Sequence, residues 1–457
     1  PLSGDSHAQE QAYQRLSEKG IEPTNLSLKT EDGMSQKIIF PAALISYKGR
    51  QIPVKLLQNQ SGVSPEEVLN NSIQNLEYAF ASSIRKISNQ GTQRIGFTEG
   101  HGELNDLQLN DAMKSLADAF EVGRVNLSTI PFAGLDKLDL LVIAKPERPF
   151  SEADKYKINY FVMNGGRVFW AIDQVSAELD SLRGRGDQLA FPKKLNLDDM
   201  LFKYGIRLNY DLLADMNCAQ IPVNVGNVGG QAQIQLLPWL FYPVFVPVST
   251  HPLVKNLDGI RSEFPGTIDL IQIKDVRSEV ILTSSPYSRK LEVPLMLSLR
   301  MEPDPKLFQS PPSAVGVLLE GEFPSVFRNR PVPAEIREKV NLPLKSKAGR
   351  MIILADGDIL KNQINAADGS AFPLGFDRYT KQQYANKNLL LNAADYLIDD
   401  SGIISLRNKE VKLRMLDRAR IRQEKTWWQL INIGLPIILL IVSGIFQHYY
   451  RIRKYAR

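Results

Sequence analysis

The sequence predicts an α/β protein built on a mostly parallel sheet, with a smaller N-terminal part and a C-terminal transmembrane helix. Three observations carry this. From Arg94 onward, apolar strand-length runs alternate with amphipathic helical runs. Several of those strands stop directly on an acidic residue or a glycine turn, as strands feeding helices do. Between residues 426 and 450 there is no Asp, Glu, Lys or Arg, and the interior reads LINIGLPIILLIVSGIF. With 43% hydrophobic and 23% charged residues the composition is that of an ordinary globular chain, and 457 residues suit two to four structural units.

Residues 1–60 are expected to form a partial N-terminal α/β region. A short helical pattern runs through Leu16, and strands follow at 25–29, 37–47 and 51–57, the last two joined by a Lys48-Gly49-Arg50 turn. PLSGDSHAQE has neither an initiating Met nor an apolar signal core, so an export signal or first membrane helix is expected upstream of it. Residues 61–92 read as a connector helix, capped by Ser64 with Pro65 in its first turn and apolar at Leu69, Ile73, Leu76, Phe80 and Ile84.

Residues 93–400 read as the main α/β domain. Strands are expected at 94–98, 121–127, 138–144 and 167–172. A helix at 105–120 would present Leu109, Met113, Leu116 and Phe120 on one face, and another at 151–164 would use Ser151 as cap with Asp154 as its partner. An insertion spans about 174–312. It holds a helix at 197–204, a strand at 279–284 and the apolar run LLPWLFYPVFVP, whose three prolines argue for buried loop or strand and against a second membrane span. Strands at 314–319 and 349–355 and a helix at 388–398 close the domain.

Residues 401–425 form a basic juxtamembrane segment, 426–450 the membrane helix and 451–457 a cytoplasmic tail. About 20 apolar residues cross a bilayer. Trp427, Trp428, Tyr449 and Tyr450 flank the span as interfacial aromatics, and the short basic tail RIRKYAR places the bulk of the chain outside by the positive-inside rule. Within the span, polar Asn432 and small Gly434, Ser443 and Gly444 suit contact with a partner helix.

Several chemistries are excluded. The net charge of +5 and pI near 9.0 concentrate beside the membrane segment, so no nucleic-acid partner is expected. Cys218 is alone, and His7, His101, His251 and His448 are scattered without ligand spacing, so neither metal nor other cofactor is expected. There is no phosphate-binding G-x-x-x-x-G-K-[ST] and no G-x-S-x-G elbow. The candidate site is Glu99-Gly100-His101-Gly102-Glu103 at a strand's carboxyl end, where open α/β sheets bind ligands. Its residues suit anion binding, acid/base work or a metal ion, although a tight turn satisfying its own backbone explains them more simply. Asp173, Asp356 and Asp358 also follow strands and are expected to join Glu99 in one solvated, ion-bound or partner-paired acidic rim. Asp356 and Asp358 suit either Mg²⁺ or a polar-capped turn.

The stretches SQKIIFPAALISY (35–47), NNSIQNLEYAFASSIRK (70–86), FTEGHGEL (97–104), VIAKPERPFSEADKYKINYFVMNGGRVFWAID (142–173) and NKNLLLNAADYLIDDSGIISLR (386–407) resemble the GldG family of gliding-motility auxiliary proteins of Bacteroidota ABC transporters. The resemblance runs through nearly the whole chain. It implies a fold similar to class I glutamine amidotransferases and flavodoxins, anchorage in the bacterial inner membrane with the bulk periplasmic, and partnership with an ABC permease subunit and an ATPase subunit. The amidotransferase nucleophile is missing from any elbow, so catalysis is not implied. The expected function is therefore a non-catalytic, membrane-anchored subunit of an ABC-type complex for gliding motility or envelope secretion. A binding component for a glycan or peptide is the second reading. A degenerate hydrolase or amidotransferase using Glu99, His101 and Glu103 is the third.

Overall fold

The structure, a computed structural model, describes residues 13, 15–16, 21, 23–30, 33–57, 65–88, 93–228, 231–299, 304–338, 340, 342–408 and 418–455. Two compact units are present, Pro1–Lys409 and Glu410–Arg457. The expected helix through Leu16 lies mostly outside the described residues, and the Ser64 cap wholly so.

The first unit is mixed α/β around a seven-stranded sheet. Its strands are β1 (Arg94–Glu99), β2 (Glu121–Asn126), β3 (Leu140–Ala144), β4 (Arg167–Ala171), β5 (Val276–Thr283), β6 (Ala314–Gly321) and β7 (Gly349–Leu354), in the spatial order β5-β6-β7-β4-β3-β1-β2. Four of the six neighbouring pairs are parallel, and β6 runs antiparallel to both β7 and β5. The sheet is thus mostly parallel, with an antiparallel margin that strand patterns alone did not reveal. β5 lies within the stretch read as an insertion yet pairs into this sheet.

Helices cover both faces, which is why all five residues of β3 are apolar and buried. On one face lie α2 (Asn110–Ala117), with Leu116 fully buried, and α4 (Asn386–Ile398), with Leu389, Ala393 and Leu397. On the other lies α3 (Glu152–Met163), which inserts Ile158, Phe161 and Val162, beside the short helix Asp198–Tyr204. Ser151 caps α3 by accepting the Asp154 amide at 3.1 Å. Helix α2 begins later than the expected residue 105. Asn105 and Gln108 exchange side chain to backbone hydrogen bonds of 2.9 and 3.0 Å, holding this segment as a turn before the helix.

Helix α1 spans Pro65–Ser88, and Arg85 ties it to Asp395 of α4 and to Asp399 at 3.1 and 2.8 Å. The hairpin Ala42–Tyr47/Arg50–Lys55 turns at Lys48 and Gly49, both with positive φ (48° and 82°). The strand expected at 37–47 is two strands, parted at Phe40-Pro41 because proline removes a ladder donor.

A third apolar cluster fills residues 175–308. The run containing Pro238 and Pro243 lies in the 15-residue strand Gln231–Phe245, paired with Cys218–Val228, with Trp239, Leu240, Phe241 and Tyr242 buried. The register shifts between Cys218 and Gln220, facing these prolines. The second unit contains α5 (Arg418–Tyr455), an apolar helix that continues through Pro436. Its segment Thr426–Tyr455 is long and apolar enough to cross a membrane.

Candidate functional site

The site is built where the strand order reverses. β1 has β2 on one side and β3 on the other, so the chain leaving β1 and the chain leaving β3 diverge and open a crevice beyond the carboxyl ends of the strands. Residues Gly100–Leu104 and Lys145–Arg148 form its walls and hold each other. Leu104 N donates to Ala144 O, and Glu147 N and Arg148 N both donate to His101 O at 2.8 Å. Gly102 has φ +78°, and a Cβ there would come within 3.0 Å of Glu147 Cβ, so glycine is required for this approach. A cavity of about 480 Å³ opens here, with Gln108, Glu178, Tyr242, Arg261, Lys361 and Arg378 among its lining residues.

Lys145 is the central group. It is 4% exposed and takes a left-handed backbone (φ +54°) that a non-glycine residue holds only where its surroundings fix it. Its Nζ donates to Glu178 Oε1 at 2.6 Å and Asp358 Oδ2 at 2.7 Å, and lies 3.5 Å from Asp173 Oδ2. Gly357 makes room for it, since a Cβ at 357 would lie 2.4 Å from Lys145 Cβ. Burial opposes the ammonium, but the charges of Asp358, Asp173 and Glu178 outweigh it and raise the Lys145 pKa far above the ordinary lysine range. Lys361 donates to Asp358 Oδ1 at 2.8 Å, and Lys193 sits 3.7 Å from Asp173 while bonding Glu147 at 2.7 Å.

Three carboxylates from two strand ends therefore share a small volume. One oxygen from each of Asp173, Asp356 and Asp358 lies within 4.8 Å of the others, a spacing a cation suits, and Lys145 of the same chain supplies that charge to two of them. Asp356 is 1% exposed. It accepts the Ser262 hydroxyl, the Glu263 amide at 2.8 Å and the Asp358 amide at 2.7 Å. Burial, followed by the neighbouring Asp173 and Asp358, pushes its carboxyl well above the ordinary range. Asp358 is driven the opposite way. Its burial is overcome by Lys145 and Lys361. Asp173 accepts the Gly357 amide at 2.6 Å.

His101 belongs to a separate lock. Its ring stacks on Phe150 at 3.9 Å between centroids, with Nε2 3.2 Å from Asp154 Oδ2 and Nδ1 3.3 Å from Glu103 Oε1. Burial disfavours the charged ring, but the contacts with Asp154 and Glu103 prevail and raise its pKa to about 9. Glu103 also accepts the His101 amide at 2.6 Å. The pair thus pins the Gly100–Leu104 loop to the start of α3.

Of the predicted rim, the structure brings Asp173, Asp356 and Asp358 together, while Gly102 and Glu103 line the cavity. Gly100 takes a positive φ (110°) in the same loop, and His101 joins that loop to Asp154. Glu99 stands apart, half-exposed and 3.5 Å from Arg124 of β2. The expectation of a solvated or partner-paired rim is corrected, because the three aspartates are buried, and Lys145, Lys193 and Lys361 of the same chain pair with Asp173 and Asp358. Lys145, Glu178, Arg261, Glu263 and Lys361 escaped sequence reasoning. The only local signal was a lysine immediately after the apolar strand ending at Ala144. Asn432, Gly434, Ser443 and Gly444 all lie on α5.

A protein of Borreliella burgdorferi described as uncharacterized is 21% identical over 431 residues, covering 92% of this chain and 74% of that protein. Among solved structures, the mmIFT52 N-terminal domain aligns with a TM-score of 0.37 and 11% identity over 70% of this chain and 100% of that one. A ThuA-like protein from Bacteroides uniformis aligns with a TM-score of 0.32 and 14% identity over 68% of this chain and 95% of that one. The family model described as ABC-type uncharacterized transport system matches residues 92–393, about two thirds of the sequence, and the chain belongs to this family of ABC transporter auxiliary proteins.

Proposed function

We propose that this chain is a non-catalytic auxiliary subunit of the GldG type, anchored in the bacterial inner membrane by α5 and serving an ABC-type complex for gliding motility or envelope secretion. The supporting observation is that its candidate reactive groups are held in unreactive states. Lys145 is fixed as an ammonium by three carboxylates, so it does not serve as an amine nucleophile. His101 is cationic below about pH 9, so it does not act as a base near neutrality. Burial pushes the Cys218 thiol up to about 11, far from the thiolate a nucleophile needs. The site then serves as a rigid scaffold. In this reading the sheet is amidotransferase-like and flavodoxin-like, on the strength of its strand order and switch-point crevice. The bulk is periplasmic and residues 451–457 cytoplasmic. Asn432, Gly434, Ser443 and Gly444 meet the permease, and an ATPase subunit completes the complex.

The test is purification of the full chain from its own membranes in mild detergent. Recovery of a permease and an ATPase with it supports the proposal, and recovery of the chain alone contradicts it. The cavity favours one secondary reading, capture of a glycan or peptide, because it is polar and mixes both charges with the amides of Gln108, Gln220 and Asn362. A retained small ligand in native mass spectrometry would support that reading.

A further inference from the structure

The hairpin Cys218–Val228/Gln231–Phe245 reaches the cavity described above only through Gln220, Ile221 and Tyr242 near its base. From Met216 to Val254 the sequence contains no Asp, Glu, Lys or Arg, in a chain of which 23% is charged. Within the hairpin, Val225, Ile234 and Leu236 are exposed at 50%, 69% and 37%. Strand Gln231–Phe245 pairs with Cys218–Val228 along one edge. On its other edge the only ladder partner among the described residues is Ile260–Arg261, which meets it at Val244 and Phe245. The edge over residues 231–237 therefore offers unpaired backbone donors and acceptors. Natural edge strands are usually protected by charges, and this one has none.

We propose that this edge pairs with the same edge of a second copy of the chain, antiparallel about a two-fold axis through Ile234. The pattern AQIQL (232–236) reads apolar-polar-apolar-polar-apolar in both directions. With Ile234 on the axis it faces its own copy, and Gln233 faces Gln235 of the other copy. Apolar positions thus meet apolar and amide meets amide. Identical strands meeting about a two-fold bring identical residues near one another, so any charge would repel its own copy. The pairing joins two hairpins into one four-stranded sheet. A lipid surface fits this edge less well, because hydrocarbon leaves unpaired backbone groups unsatisfied, whereas a second strand satisfies them. The dimer is a property of the folded unit and does not depend on the transporter assignment.

The test uses the full chain in mild detergent, with Cys218→Ser as background. Directly opposed residues of an antiparallel pair lie about 4.5–5.5 Å apart at Cα, within disulfide reach. Under mild oxidation, Ile234→Cys is expected to form a disulfide-linked species of twice the 51.4 kDa chain mass. Its yield should be at least tenfold that of Val248→Cys, which is 80% exposed but outside the pairing. A mixture of Gln233→Cys and Gln235→Cys chains should cross-link more than either alone. Without oxidation, the wild type should be dimeric by light scattering and Ile234→Lys monomeric with an unchanged melting temperature. A monomeric wild type, a dimeric Ile234→Lys, or equal cross-linking at positions 234 and 248 would overturn the proposal.

Discussion

Lys145 Nζ donates to Asp358 Oδ2 at 2.7 Å across 213 positions of sequence, joining the loop that leaves β3 to the turn that leaves β7. Both ends of this contact are buried, and its value lies in what happens when one partner is removed. A buried ion pair contributes little net stability compared with apolar packing, but half of one is costly.

Lys145→Met should therefore destabilise the chain by about 3–5 kcal/mol, because Asp358 and Asp173 lose their nearest cation inside the protein. Chemical denaturation followed by far-UV circular dichroism reads this directly. A loss below about 1 kcal/mol would mean that Lys361 and Lys193 neutralise the cluster unaided.

The two neighbouring aspartates should respond differently to loss of charge. Asp358 is stabilised as a carboxylate, so Asp358→Asn removes a charge-assisted bond to each of two lysines and should cost about 1–3 kcal/mol at pH 7. Asp356 has a raised folded pKa, so the stability it contributes is present below the ordinary carboxylate range and lost as pH rises toward that folded value. Above the ordinary carboxylate range, keeping this acid buried beside Asp173 and Asp358 is a burden. Asp356→Asn relieves that burden but gives the Ser262 and Glu263 donors a poorer partner, so it should cost at most about 1 kcal/mol. Equal melting temperatures for the two variants at pH 7 would contradict this division.

The sign for His101 is the reverse of that for its carboxylates. Its folded pKa is raised from 6.5 to about 9, so its contribution is complete below pH 6.5 and lost as pH rises through about 9. Asp154 and Glu103 have lowered pKa values, so their contributions are present above the ordinary carboxylate range and lost as pH falls. Wild-type stability should fall by on the order of 2–3 kcal/mol between pH 6.5 and 10 through this histidine. His101→Gln, less stable at pH 6, should lose most of that slope. An unchanged slope would mean that another group causes it.

Much of the fold was legible because its signals are local. Ser151 followed by Asp154 marks a helix start, Lys48-Gly49 marks a hairpin, and the apolar runs ending at Ala144 and Ala171 mark buried parallel strands. What was not legible depends on distant partners. The antiparallel course of β6 is set by its pairing to β7, and 116 positions separate the central Lys145 from Arg261, two cations that line one cavity.

 

The partners of Lys145 (Asp173, Glu178 and Asp358) are likewise remote in sequence, so only the folded chain shows that the acidic strand ends carry their own counter-ions. Glu99 stands outside the cluster for the same reason, since its partner Arg124 is on the neighbouring strand.

The proposed attachment of this chain to a permease through α5 is tested by exchanging residues 426–450 for an unrelated apolar helix of equal length. Permease recovered per mole of chain is then measured after purification from native membranes in mild detergent. The exchanged chain is expected to stay in the membrane fraction but to lose most of the permease, with Asn432→Leu and Gly434→Leu losing part of it. Undiminished permease recovery with the exchanged helix would contradict it.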